Sequence, residues 1–164
     1  MRTITKNVYK FDELTHEVQQ KVIDSYKNDD WLHDHCLWEG ERSLEAYCEH
    51  FNVKLKDYFL CPFNRCYAQV EVSNKNFRGL KLKDCEFMRD YMPTGYCLDQ
   101  DFFLEFYNEF KSTGDALRAF KHGLEYGIDA IKRDCEYQYE DENILARIES
   151  NDHEYFEDGE LFTD

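Results

Sequence analysis

The side chains in this sequence that could do chemistry are its histidines, cysteines and carboxylates, and they come in groups. "HDHC" at 33–36 and "CEH" at 48–50 supply His33, His35, Cys36, Cys48 and His50, and "CPFNRC" adds Cys61 and Cys66. All are potential zinc ligands. A zinc site needs about four donors converging tetrahedrally, usually from paired short spacings such as Cys-x2-Cys. No complete pair of that kind occurs, and on a helix adjacent donors point in different directions. The expectation is therefore no bound metal, with Cys48, Cys66 and Cys135 as small core residues on apolar faces. Cys61 and Cys66 can still approach each other across a hairpin loop.

Carboxylates are too numerous to single out a catalytic pair, because such a pair needs one acid perturbed by burial and these clusters read as solvated. The contiguous Glu140, Asp141 and Glu142 lack the spaced oxygen pattern of a calcium loop. There is no Gly-x-Ser-x-Gly, no Walker loop and no Gly-x-Gly-x-x-Gly. A Cys–His nucleophile pair distant in sequence stays open. The expected assignment is a protein without cofactor that is not an enzyme.

What remains is the charge. The chain has 164 residues and a formal net charge of −15. Residues 135–164 hold 11 acidic side chains against Arg147 alone, whereas residues 52–92 carry 8 basic and 5 acidic ones. A field of that sign repels nucleic acid and anionic membranes and steers basic partners inward. A solubilising face is the plain explanation of acidity, but solubility needs no such separation of sign. The candidate partner-binding residues are Glu136, Glu140, Asp141, Glu142, Glu149, Asp152, Glu154, Glu157, Asp158 and Glu160, with Tyr155 and Phe156 as apolar anchors. On one helix, Glu136 and Glu140 would stand one turn apart, about 5.4 Å. DNA presents one charge per about 1.7 Å of axis, and a folded row of carboxylates can imitate part of that.

These residues need elements to hold them. With 42% hydrophobic and 16% aromatic residues, the chain reads as folded rather than as a disordered acidic tail. No apolar run approaches the roughly 20 residues of a membrane span, the opening stretch lacks a signal-peptide core, and the cysteines read as reduced in a cytoplasmic protein. Thr15 is placed to cap a helix carrying Val18, Val22 and Tyr26, with Leu14 nearby. Asp30 is placed to cap a second, with Trp31, His35 and Trp38 along one side. "EGER" is expected to end it, and Ser43 to cap a third over Leu44, Tyr47, Cys48 and Phe51. Alternation around "CPFNR" predicts a β-hairpin, and "LKLK" at 80–83 a third strand, so that residues 53–83 form a short antiparallel sheet. Helical spacing returns at Phe102, Phe103, Phe106, Tyr107 and Phe110, capped by Asp99 or Asp101. It continues at Ala116, Phe120, Leu124, Ile128, Ile131 and Cys135, beside a stripe of Ala119, Gly123 and Gly127. A further helical stretch surrounds Ile144, Leu145 and Ile148. Asp158-Gly159 predicts a type I′ hairpin at the C-terminus. The fold class is α+β, a short antiparallel sheet packed with several helices, in a single domain over 1–164.

Two stretches also carry a resemblance. "VYKFDELTHEVQQKVIDSY", with Phe11, Glu13, Leu14 and Thr15, resembles the opening of a group of small acidic proteins encoded by bacteriophages and prophages. "ILARIESNDHEYFEDGELF", with Ile148, Glu149, Asn151, Tyr155, Phe156, Asp158 and Gly159, resembles their ending. Together the stretches cover about a quarter of the chain. Members frequently show Gln-Gly-Asp-Gly in the central hairpin, where this chain has "FNRCYAQVEV". Some carry the label antitoxin. The resemblance implies an origin on a mobile element. Joined to the charge, it leads to the expectation of an inhibitor in the host cytoplasm. Such an inhibitor, of the anti-CRISPR or anti-restriction type, would cover the basic nucleic-acid-binding surface of a host defence protein. It would not itself bind nucleic acid or membrane. An antitoxin that neutralises a toxin by direct binding, and a metal-dependent enzyme, are the alternatives.

Overall fold

The computed structural model describes residues 6–163, apart from the side chain of Trp31. The fold is α+β: five α-helices and two short antiparallel two-stranded sheets among the described residues. Two compact units share the chain. The terminal unit joins Met1–His33 to Tyr137–Asp164, and the central unit is Asp34–Glu136.

In the terminal unit, strand β1 (Tyr9–Lys10) pairs antiparallel with β4 (Glu154–Tyr155), setting Tyr9 against Tyr155 and Lys10 against Glu154. The two stretches that carry the resemblance thus meet strand to strand. Helix α1 (His16–Lys27) buries Val22 and Ile23, and α5 (Asp141–Asn151) buries Ile144 and Ile148. Thr15 does stand at the N-cap of α1, but its hydroxyl makes no capping hydrogen bond. The Glu13 carboxylate accepts the Lys10 amide at 2.8 Å and so closes the 3-10 turn Phe11–Glu13 that leads into α1.

The C-terminal turn is not type I′. That turn needs positive φ at both central residues, yet Asp158 is absent from the positive-φ residues and only Gly159 has it, at 90°. The Gly159 amide donates to the Phe156 carbonyl at 2.9 Å and the Phe156 amide to the Glu160 carbonyl at 2.8 Å. This is a three-residue hairpin loop closed by a left-handed glycine.

In the central unit, β2 (Lys54–Phe59) and β3 (Tyr67–Glu71) form the hairpin around "CPFNR", pairing Leu55 with Val70 and Tyr58 with Ala68. The expected third strand is absent. Residues 82–89 form a 3-10 helix instead, with Leu82 half-buried and Cys85 and Met88 buried. Its apolar residues recur every third position, the repeat of a 3-10 turn rather than the repeat of two that a strand requires.

Helix α2 (Asp30–His50) runs straight through "EGER". Gly40 does not break it, because an added Cβ there would lie 2.6 Å from Ile131 Cγ2: the glycine admits a close neighbour. Its buried side is Leu32, Cys36, Ser43, Leu44, Tyr47 and Cys48, not His35 and Trp38, which are exposed. Trp31's side chain lies outside the described residues.

Helix α3 (Leu98–Thr113) buries its five predicted aromatics, and α4 (Ala116–Gln138) buries the small stripe Ala119, Gly123 and Gly127. A Cβ on Gly127 would sit 2.4 Å from the Phe102 ring, and one on Gly123 2.7 Å from the Phe102 carbonyl oxygen. Asp99 is wholly buried in the first turn of α3, where its carboxylate accepts the Thr94 amide at 2.9 Å and the Thr94 hydroxyl at 2.8 Å.

Candidate functional site

The acidic segment is built on α5 and the strand and loop that follow it. Glu140 is the N-cap residue of α5, and Asp141 and Glu142 occupy its first turn. Negative charge there is favoured by the helix dipole, so these three carboxylates have a local reason to be where they are. Gln138 ends α4, so Glu136 and Glu140 are on separate helices rather than one turn apart on the same one. Glu136 belongs to the central unit, where it pairs with Lys132 at 3.6 Å.

Local sequence also overstates the bare charge. Asp141 pairs with Lys27. Lys10 Nζ reaches Asp152 Oδ1 at 3.0 Å and Glu154 Oε1 at 4.0 Å. Each of these lysines comes from the first part of the chain. The whole terminal unit holds 16 acidic and 6 basic side chains, a net −10. Exposed pairs of this kind contribute about 0–1 kcal/mol each, so they trim the field without removing it.

Glu140, Glu142, Glu149, Glu157 and Glu160 are exposed, and no ion pair engages their carboxylates among the described residues. Asp158 is exposed as well, and its carboxylate accepts the Glu160 amide at 3.1 Å, which shapes the loop. Glu149 differs from the others. It lies near the C-terminal end of α5, whose last turn carries no basic residue, and there the dipole disfavours an anion.

The two apolar anchors part ways. Tyr155 is only 2% exposed and belongs to the core, its ring 6.4 Å from Phe11 and its hydroxyl 3.4 Å from that of Tyr26. Tyr155 is the last residue of β4, and Phe156 begins the loop that follows it. Phe156 is half-buried, edge-on to Phe162 at 5.7 Å, with Lys6 Nζ 4.5 Å from its ring centre.

The histidines and cysteines do not gather into a site. Among the described residues, no three His, Cys, Asp or Glu side chains are placed to hold a metal ion. His50 is packed against Phe51, Tyr91 and Phe103, and burial lowers its pKa. All seven cysteines are free thiols. Burial pushes Cys48 up to about 12 and Cys85 up to about 11. A hydrogen bond with the Cys36 thiol, together with burial, pushes the Cys135 thiol up. Thiols held protonated this way are poor nucleophiles. Cys66 Sγ instead sits 3.3 Å from the Cys61 amide nitrogen, inside its own hairpin loop.

A cavity of about 850 Å³ opens in the terminal unit, bordered by α1, α5 and the C-terminal loop. Tyr26, Asp30, Arg147, His153, Tyr155 and Glu160 line it. Of these only Tyr155 and Glu160 stand out in the sequence; the others are scattered over the chain and only the fold gathers them. No helix among the described residues is long and apolar enough to cross a membrane. Compared with protein-family models, curated proteins and solved structures, the chain matches none.

Proposed function

We propose that this protein is a phage-encoded inhibitor whose terminal unit covers the basic nucleic-acid-binding surface of a host defence protein in the host cytoplasm. A CRISPR effector or a restriction enzyme is the intended class of target. The mechanism is competitive exclusion: carboxylates take the places of phosphates, and no bond is made or broken. Glu149 is the observation that carries this reading. Its charge does not help its own helix and pairs with no cation among the described residues, and it stands on an ordered element of a unit with net −10. Carboxylates fixed in position give up less freedom on binding than those of a loose tail.

The test is a DNA-binding assay on purified CRISPR effectors and restriction enzymes, with the protein added as competitor. Wild type is expected to displace labelled DNA from one of them, more slowly as salt is added. Glu149→Lys and Glu157→Lys combined should abolish displacement while the circular dichroism spectrum stays unchanged. These positions avoid Glu140, Asp141 and Glu142, which favour the start of α5. Full inhibition by the reversed variant, or inhibition of no enzyme tried, would overturn the proposal.

A further inference from the structure

Resting on that reading, we infer that the cavity of the terminal unit receives a single guanidinium or primary ammonium side chain from the basic partner. Its volume of about 850 Å³ falls among small-ligand sites, which run from about 300 to 1,000 Å³. The floor is polar but under-used. Tyr155 and Tyr26 face each other at 3.4 Å between hydroxyl oxygens, longer than the roughly 2.7 Å of a good O–H···O bond. Both oxygens therefore retain lone pairs for an incoming N–H donor. The sides include Val22 and Leu32, which suit the methylene stem of an arginine or lysine. Asp30 and Glu160 are exposed carboxylates of the lining. One cation is already present, but Arg147 is turned to Gln138 Oε1 at 3.0 Å. Three carboxylates of the lining, Asp29, Asp30 and Glu160, outnumber its one guanidinium, and the unit around it is net anionic as well. Arginine is among the side chains enriched at the desolvated anchor points of interfaces, and this cavity has the charge and volume to take one.

The probe is N-acetyl-L-argininamide, titrated into the ¹⁵N-labelled full chain. Its uncharged citrulline isostere and N-acetyl-L-glutamate serve as comparisons. Resonances of His153, Tyr155, Glu160 and Leu161 are expected to move together and saturate. The citrulline analogue should bind about tenfold more weakly, the size expected for losing a charged hydrogen bond. Glu160→Gln should weaken the argininamide several-fold, as should Tyr26→Phe, which leaves the ring in place. Glu17→Gln, an equal charge change on α1 outside the cavity, should not. Shifts spread evenly over Glu140, Glu142 and Glu149 would overturn the inference, as would equal effects of Glu160→Gln and Glu17→Gln, or preference for the glutamate. Because the titration needs no defence protein, it can succeed or fail independently of the inhibition assay. Inhibition that depends on Glu149 but not on Glu160 would sink the cavity and keep the acidic surface.

Discussion

The central unit is held by rings and the terminal unit by aliphatic side chains under a heavy charge. In the central unit Tyr47 stacks on Phe120 at 4.9 Å and 9°, and Phe51 meets Phe106 at 4.5 Å. The Tyr47 hydroxyl donates to the Phe120 carbonyl at 3.0 Å, so even the polar atom of that cluster is satisfied. The terminal unit buries Leu14, Val22, Ile23, Leu32, Ile144 and Ile148 together with one tyrosine, Tyr155. Its 16 acidic residues outnumber its 6 basic ones, whereas the central unit has 19 against 14. Stability and charge are thus divided: one unit has the dense core, the other the field. A binding surface of one sign opposes compactness through self-repulsion, and placing it on a separate unit spares the aromatic core.

The largest expected effect breaks the stronger half. Phe120→Ala removes a wholly buried ring that touches Tyr47, Phe51 and Phe77, and should destabilise by about 3–5 kcal/mol. Gly127→Ala is next. It should lose about 1–3 kcal/mol to overpacking against Phe102, offset in part by about 1 kcal/mol of helix propensity. Thermal unfolding of the full chain measures both. A melting temperature unmoved by Gly127→Ala would mean that the close approach to Phe102 relaxes freely.

The same division explains what could be read from the sequence. Helices α3 and α4 declare themselves because an aromatic or aliphatic residue recurs every three or four positions. The small stripe of α4 showed that something comes close, without showing that it is Phe102. Helix α2 was misread at Gly40, since a glycine that ends a helix and one that admits a neighbour look alike in sequence. The 3-10 helix was lost to its alternating lysines, although Leu82, Cys85 and Met88 kept a spacing of three. Nothing local announces that two-residue strands will pair across 146 positions, as Tyr9 and Tyr155 do. That pairing brings Lys10 to the acidic segment, so counting charge along the chain overestimated its isolation.

A smaller effect tests the field itself. The terminal unit should gain stability as salt screens its repulsion, and the central unit should change little. From about 0.01 M to about 0.15 M ionic strength the screening length falls from about 30 Å to about 8 Å. Salt also weakens the pairs of Lys10 and Lys27, but exposed pairs contribute about 0–1 kcal/mol each. Residue-resolved hydrogen exchange separates the two units within the intact protein. Protection at Ile144 and Ile148 should rise with salt, and that at Phe103 and Leu124 should stay level. Equal response in both would show that the charge does not act on the terminal unit in particular.

The smallest effects are in the pH dependence of the central unit, where two kinds of half-buried group act in opposite directions. Burial holds the folded pKa of His50 below its ordinary 6.5. As pH falls through 6.5 the unfolded chain takes up a proton that the folded ring refuses, so stability declines until the folded pKa is passed. Asp101 and Asp134 are raised above 3.8, chiefly by burial, so the folded protein takes up their protons first as acid is added. Their contribution grows as pH falls through the raised folded values, and it is complete below 3.8. His50→Phe should therefore flatten the decline that begins near pH 6.5. Asp134→Asn should raise the melting temperature slightly at pH 7, where the half-buried charge is fully formed. That advantage should shrink below pH 4, where wild type is neutral there too. All seven cysteines lie in the central unit. Labelling of the buried Cys85 and Cys135 after pulses of acid thus reports its opening without interference from the terminal unit. An Asp134→Asn variant less stable than wild type at pH 7 would show that the carboxylate is held by a partner rather than penalised by burial.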